Sequence, residues 1–162
     1  MKIEACGQPD GGPANKPRIE NPVRVTLEIP VFYSGTGALQ PVKTPIMCGR
    51  VFAETALAVM ERVLKAHGKG LVHLGVYNAR MARRKDGTPI TPPRWSNHSF
   101  GCAIDWSGIA TGDQWQSMAK LKDDPVVMAI RREARVAIVS TARKPEIVDE
   151  GGWIHVGFYP TG

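Results

Sequence analysis

Apolar residues recur at two different spacings along the chain, and the spacings separate predicted helices from predicted strands. The ranges 50–67 and 124–142 carry apolar residues three or four positions apart, which is typical of amphipathic helices. Asp124 suits the cap of the second helix and Pro125 its first residue. We also expect the segment 111–121 to be helical.

Other segments alternate or run apolar over short lengths, as strands do. The range 23–33 is rich in β-branched residues and is interrupted by Pro30, which indicates an edge or a bulge. Further strands are predicted at 71–80, 101–109 and 153–159. Because these elements alternate only loosely with the helices, we expect the α+β fold class, a small antiparallel sheet with helices packed on one side.

The remaining segments are rich in turn-forming residues. Residues 1–22 abound in Gly, Pro, Asn and Asp, and we expect an irregular N-terminal arm. The loop 81–97 is long, and loops of this length in compact domains are often functional. The length suits one domain over residues 1–162, with the motif-bearing core at about 50–159.

Charge narrows the choice of partner. The net charge of +6 favours anionic partners, of which nucleic acid and bacterial cell-wall polymers are examples, although it can also serve solubility alone. We do not expect nucleic acid, because no aromatic platform accompanies the basic residues. Two local clusters stand out, Arg80, Arg83, Arg84 and Lys85, then Arg131, Arg132 and Arg135.

The chain has no apolar run of membrane-spanning length, so we expect no membrane insertion. Residues 1–12 lack the apolar region of a secretory signal, and we expect synthesis in the cytoplasm. Three cysteines form no CxxC pair, which favours reduced thiols. Cys102 lies in an apolar stretch and is expected in the core rather than as a nucleophile.

One polar residue interrupts each of two apolar strands. Asp105 shares a strand face with the small residues Gly101 and Ala103. His155 shares its face with Trp153 and Gly157. Each face therefore has room for a bulky group, and a buried carboxylate requires a partner.

His98 precedes Asp105 by seven residues in a polar loop. Two histidines and a carboxylate are a common ligand set for catalytic zinc, which activates a water molecule. Ordinary structural explanations stay open: a strand histidine is often simply hydrogen-bonded in the core, and Asp105 can pair with an arginine.

The motifs S-x-H-x-x-G-x-A-x-D and W-x-H together resemble the M15 family of zinc peptidases, which includes D-alanyl-D-alanine carboxypeptidases and phage endolysins that are L-alanyl-D-glutamate endopeptidases. The resemblance covers about residues 71–159 and implies the hedgehog/DD-peptidase fold. It implies a Zn²⁺ cofactor and peptidoglycan stem peptides as substrate. The residues that carry it are Ser96, His98, Gly101, Ala103, Asp105, Trp153 and His155, and it implies the two histidines and Asp105 as zinc ligands.

The segment from Tyr77 to Arg80 is similar to a tyrosine-and-arginine segment of that family. It implies that Arg80 binds the substrate or stabilises the oxyanion. Ser96 and Trp153 are further candidates for substrate binding, although Ser96 can equally be a turn residue. We expect His73 to be structural.

The proton-transfer group departs from the family pattern. Many members place an acid three residues before the last histidine, where this chain has Gly152. Glu150 is our first choice and Asp149 our second, since a general base must reach the attacking water. Both can instead be exposed loop carboxylates.

The resulting hypothesis is a zinc-dependent peptidoglycan peptidase, with a lytic endopeptidase favoured over a D,D-carboxypeptidase. Without a signal, such a protein fits a phage product that a holin releases or a virion carries to the cell wall. The alternative is a non-catalytic zinc-binding or wall-binding module of the same fold. The oligomeric state stays open.

Overall fold

The computed structural model describes residues 1–160, which form ten strands and three α-helical segments. In chain order these are β1 (Lys2–Ala5), β2 (Pro22–Thr26), β3 (Val31–Tyr33), β4 (Gln40–Pro41), β5 (Ile46–Gly49), α1 (Arg50–Phe52), α2 (Ala58–Ala66), β6 (Gly70–Gly75), β7 (Ala103–Thr111), β8 (Gln114–Ser117), α3 (Pro125–Val139), β9 (Pro145–Asp149) and β10 (Ile154–Phe158).

The strands form two sheets rather than the one small antiparallel sheet that was expected. A three-stranded antiparallel sheet has the order β1-β2-β5. A seven-stranded sheet has the order β4-β3-β6-β7-β10-β9, with β8 also paired to β7. It is mixed, because β3 runs parallel to β6. The fold therefore combines α and β elements as expected, with a larger and partly parallel sheet.

The helices cover the apolar face of the larger sheet. Helix α2 packs against α3 and β6, and α3 packs against β9. On β10, Ile154, Val156 and Phe158 point into this core. Residues between them point to the opposite face, because strand side chains alternate. That opposite face carries the polar residues that the sequence singled out.

The predicted helices at 50–67 and 124–142 are both present. The first contains a π-helical segment, Ala53–Leu57, between α1 and α2. The second is α3, and Asp124 caps it as expected: its carboxylate accepts hydrogen bonds from the backbone N–H groups of Val126 (2.8 Å) and Val127 (3.3 Å). Each satisfies an N–H that a helix start leaves unpaired.

Two expectations about local structure were wrong. The N-terminal arm begins with β1, where Ile3 packs against the core and pairs with Val25, because the Gly/Pro-rich composition starts only at Gly7. The segment 111–121 is helical only over the short 3₁₀ turn Met118–Lys120. It turns at Gly112, whose φ is +60°, and returns as β8.

Two further properties follow from the described residues. Among residues 1–160, no helix is long and apolar enough to cross a bilayer. Cys48 and Cys102 are buried free thiols, and burial raises the pKa of each to about 12. Since the thiolate is the nucleophilic form, a thiol with so high a pKa is a poor nucleophile near pH 7. Cys102 is therefore a core residue, as expected.

Candidate metal centre

His98, Asp105 and His155 converge at the centre of the polar face of the larger sheet. Asp105 and His155 are directly paired across β7 and β10, so their side chains emerge side by side. One potential ligand atom from each of the three residues lies within 4.8 Å of the other two. From the sequence, Asp105 and His155 were each expected on an open strand face. Because the two residues are paired, the register places them on the same face of the sheet.

A tight turn delivers His98 to this cluster. The 3₁₀ turn Asn97–Phe100 begins at Ser96, whose hydroxyl accepts a hydrogen bond from the backbone N–H of His98 at 3.3 Å. The turn ends at Gly101, where φ is +65°. A Cβ atom there would lie 2.9 Å from the backbone nitrogen of Gly49, so only glycine fits. The serine and glycine of the motif therefore shape the turn that carries the histidine.

A backbone hydrogen bond sets the tautomer of His98. Its Nδ1 lies 2.7 Å from the carbonyl oxygen of Val76 and must donate, because a carbonyl only accepts. In the neutral ring, Nε2 then carries a lone pair. This Nε2 faces Asp105 Oδ1 at 3.1 Å. Two lone pairs at this distance repel unless a proton or a cation lies between them, so the site suits a metal ion.

The same carboxylate oxygen also meets the second histidine. Asp105 Oδ1 lies 3.0 Å from His155 Nδ1. Burial opposes the ionisation of Asp105, but the adjacent imidazoles of His155 and His98, which donate to its carboxylate when they carry the proton, outweigh burial and lower the pKa of this carboxyl below its usual range. The side chains of His98, Asp105 and His155 are only 4%, 17% and 11% exposed. The cluster is thus an anionic, largely enclosed set of two nitrogen donors and one oxygen donor.

Two residues that the sequence did not single out, Asn97 and Glu146, form a chain of contacts to the second ring nitrogen of His155. Asn97 Nδ2 lies 3.0 Å from His155 Nε2 and donates to Glu146 Oε2 at 3.1 Å. Glu146 is on β9, opposite Gly157, and so shares the face of His155. Asn97 Nδ2 can only donate, so His155 Nε2 accepts and the proton of the neutral ring lies on Nδ1, which faces Asp105. This contact holds the imidazole ring in place. The only sequence signal for Glu146 was the short alternating segment 145–149, which went unassigned.

A cleft of about 330 Å³ opens onto the three residues. Glu150 and Trp153 line it on the turn between β9 and β10, and the backbone N–H of Glu150 donates to the carbonyl of Trp153 at 2.9 Å. One wall is basic and belongs to the predicted functional loop and the segment before it. Its cations are Arg80, Arg83, Arg84 and Lys85.

Three of the expected catalytic or substrate-binding residues therefore lie at the cleft: Arg80, Glu150 and Trp153. Arg80 is placed by Ser99, whose hydroxyl accepts from the Arg80 N–H and lies 2.9 Å from its carbonyl oxygen. Ser99 is fully buried, and sequence reasoning missed it because a serine beside a histidine has no distinctive spacing.

Two expected residues are not at the cleft. Asp149 is paired with Ile154, on the core side of the sheet. Its carboxylate accepts from the Gly151 N–H and lies 3.7 Å from Lys122 Nζ, and the Gly151 bond is the main cause of its lowered pKa. Ser96 is buried as the cap of the 3₁₀ turn, so it positions His98 and does not face a substrate.

His73 is separate from the cluster, as expected. It is 7% exposed, packs edge-on against Tyr33 and has no hydrogen-bond partner among the described residues. Burial lowers its pKa to about 4, although the charge of Asp105 acts in the opposite direction. His73 is therefore a neutral core residue near pH 7.

Comparisons with family models, with curated proteins and with solved structures give no match for this chain. What the described residues provide is a group of two histidines and one aspartate that can hold a metal ion at the base of a cleft.

Proposed function

We propose that this protein is a zinc-dependent peptidase that hydrolyses a peptide bond in bacterial peptidoglycan stem peptides. The observation that carries the proposal is the meeting of His98 Nε2, Asp105 Oδ1 and His155 Nδ1 at the base of an open cleft. Three protein ligands with an accessible side are the arrangement of catalytic zinc sites, whereas structural sites are closed by four.

The donor set favours zinc over the harder cations. Imidazole nitrogens suit zinc and other first-row metals, while magnesium and calcium prefer all-oxygen sites. When bound, zinc would polarise the scissile carbonyl and make water available as a nucleophile near neutral pH. His98, Asp105 and His155 would hold it, and Asn97 with Glu146 would keep the second imidazole in place.

The remaining cleft residues suit the steps of an amide hydrolysis. Glu150 would take the proton from the attacking water and deliver it to the leaving amine. Arg80 would stabilise the negative charge that develops on the carbonyl oxygen, or hold a substrate carboxylate. Trp153 would pack along the peptide. The basic wall suits stem peptides, which carry free carboxylates.

The choice of peptidoglycan rests on the resemblance of the S-x-H-x-x-G-x-A-x-D and W-x-H motifs to M15 peptidases. Within that class we favour a lytic endopeptidase over a D,D-carboxypeptidase. The protein would then act on the cell wall, as a phage product released by a holin or carried in a virion. These assignments follow from the family resemblance and not from the cleft itself.

The test is cleavage of purified peptidoglycan by the zinc-loaded protein, followed by mass spectrometry of the soluble products. We expect new amino termini within the stem peptides, loss of activity with a chelator and recovery with added zinc. Stoichiometric zinc without cleavage of any wall peptide would instead support the alternative, a non-catalytic zinc-binding module. Product masses also identify which bond is cut.

A further inference from the structure

The outer surface of α3 carries three exposed apolar side chains. Met128, Val136 and Val139 are 53%, 66% and 55% exposed. With 3.6 residues per turn, their spacing places them on one side of the helix, away from the core-facing Ile130, Ala134 and Ile138. Single exposed apolar residues are ordinary, whereas apolar side chains that share one exposed face can contribute to an interaction surface.

Three arginines lie between Met128 and Val136 on the same helix. Arg131, Arg132 and Arg135 form no ion pair with any residue in 1–160, while the neighbouring Glu133 is bound to Arg62. Like charges three and four residues apart destabilise a helix. The three arginines line a shallow concavity of about 400 Å³, which Lys122 and Asp123 also line. The surface therefore combines two features that are energetically unfavourable in the isolated protein: apolar groups exposed to water, and like charges without ion-pair partners.

We propose that this surface, consisting of Met128, Arg131, Arg132, Arg135, Val136 and Val139, docks on an anionic lipid membrane. Arginine side chains can bind lipid phosphates while the apolar tips enter the interface between headgroups and acyl chains. An anionic polymer would use the arginines but gain little from the three apolar groups. An apolar protein surface would not compensate the charges.

The orientation of the fold is compatible with this docking. Ile130 and Ile138 of α3 belong to the core on the apolar side of the larger sheet, together with Ile154. Asp105 and His155 lie on the opposite side of that sheet. A protein docked through α3 therefore holds its cleft away from the lipid and open to other molecules. The docking is peripheral and needs no helix that crosses the bilayer.

Co-sedimentation with vesicles tests the proposal. We expect binding to phosphatidylcholine vesicles that contain phosphatidylglycerol and no binding to phosphatidylcholine alone. The double variant Arg132→Glu/Arg135→Glu should bind at least about tenfold more weakly, because each cation near an anionic surface contributes appreciably. The double variant Val136→Ser/Val139→Ser should also bind more weakly, and its deficit should persist in high salt, where electrostatic attraction is screened.

Arg18→Glu/Lys43→Glu is the matched control, since both residues are exposed, outside α3 and without an ion pair among residues 1–160. It changes the net charge equally and should keep the affinity. An equal loss in the control would overturn the proposal, because net charge alone would then explain binding. So would binding to DNA without binding to vesicles, or a dimer in solution that Val136→Ser/Val139→Ser dissociates. Sedimentation requires neither metal nor turnover, so its outcome is independent of the proposed peptidase activity.

Discussion

Asp105 and His155 occupy directly opposite positions on β7 and β10, and Asp105 Oδ1 lies 3.0 Å from His155 Nδ1. The same oxygen lies 3.1 Å from His98 Nε2. A single carboxylate oxygen thus serves two imidazoles, one of which has its other nitrogen committed to the carbonyl of Val76. This shared oxygen defines where a cation can bind.

Replacing His98 by alanine should remove metal binding, because two remaining ligands hold zinc far less well than three. We expect zinc to fall from stoichiometric in the parent protein to near zero in His98→Ala after dialysis, measured by elemental analysis. His67→Ala is the matched control, since His67 is exposed at the end of α2 and should keep its zinc. Stoichiometric zinc in His98→Ala would contradict the ligand assignment.

Removing the carboxylate of Glu146 should weaken metal binding without removing a ligand. Asn97 would lose the acceptor that orients its amide beside His155. We expect Glu146→Ala to bind zinc about 10- to 100-fold more weakly, as is usual for groups that orient metal ligands. A chelator competition titration measures this.

Glu146→Gln keeps an oxygen acceptor for Asn97 and should retain most of the affinity. Equal zinc affinities of Glu146→Ala and the parent protein would show that the Asn97 contact does not support the site. Equal losses in the Ala and Gln variants would indicate that charge, and not hydrogen bonding, is the important property of Glu146.

Glu150 and Asp149 are adjacent in sequence but differ in the face of the sheet that they occupy. Under the proposed function, Glu150→Gln should keep zinc and lower kcat by about 10²- to 10⁴-fold, the usual contribution of a general acid–base group. Asp149→Asn should keep near-normal turnover, because Asp149 faces Lys122. Turnover of defined muropeptides with equal zinc loading measures both. A normal rate for Glu150→Gln would remove Glu150 from the mechanism.

The buried His73 should make stability fall in acid. Its pKa is 6.5 in the unfolded chain and about 4 in the folded protein, so the unfolded state binds the proton more readily. Its contribution is complete above pH 6.5 and is lost as the pH falls towards 4, and it amounts to about 3 kcal/mol by linkage. Urea unfolding at several pH values should therefore show a shallower acid decline in His73→Phe. Parallel curves for the two proteins would contradict a buried neutral His73.

The sequence pattern was sufficient to predict secondary structure wherever residues close in sequence determine it. The helix at 124–142 was predicted with its cap because Asp124 and Pro125 act on adjacent backbone groups. The segment 111–121 was not, because its two-residue turn matters only when the returning strand finds β7. The strand β1 was not predicted for the same reason, since its partner strand β2 lies about twenty residues further along the chain.

For the site, the sequence by itself determined which residues have ligand chemistry and that Asp105 and His155 each occupy an open strand face. Only the tertiary structure decided that these faces coincide, that Glu150 and not Asp149 lines the cleft, that Ser96 is a cap, and that Glu146 reaches Asn97. The physical reason is that alternation along one strand is local. Strand order and register depend instead on packing between segments far apart in the chain.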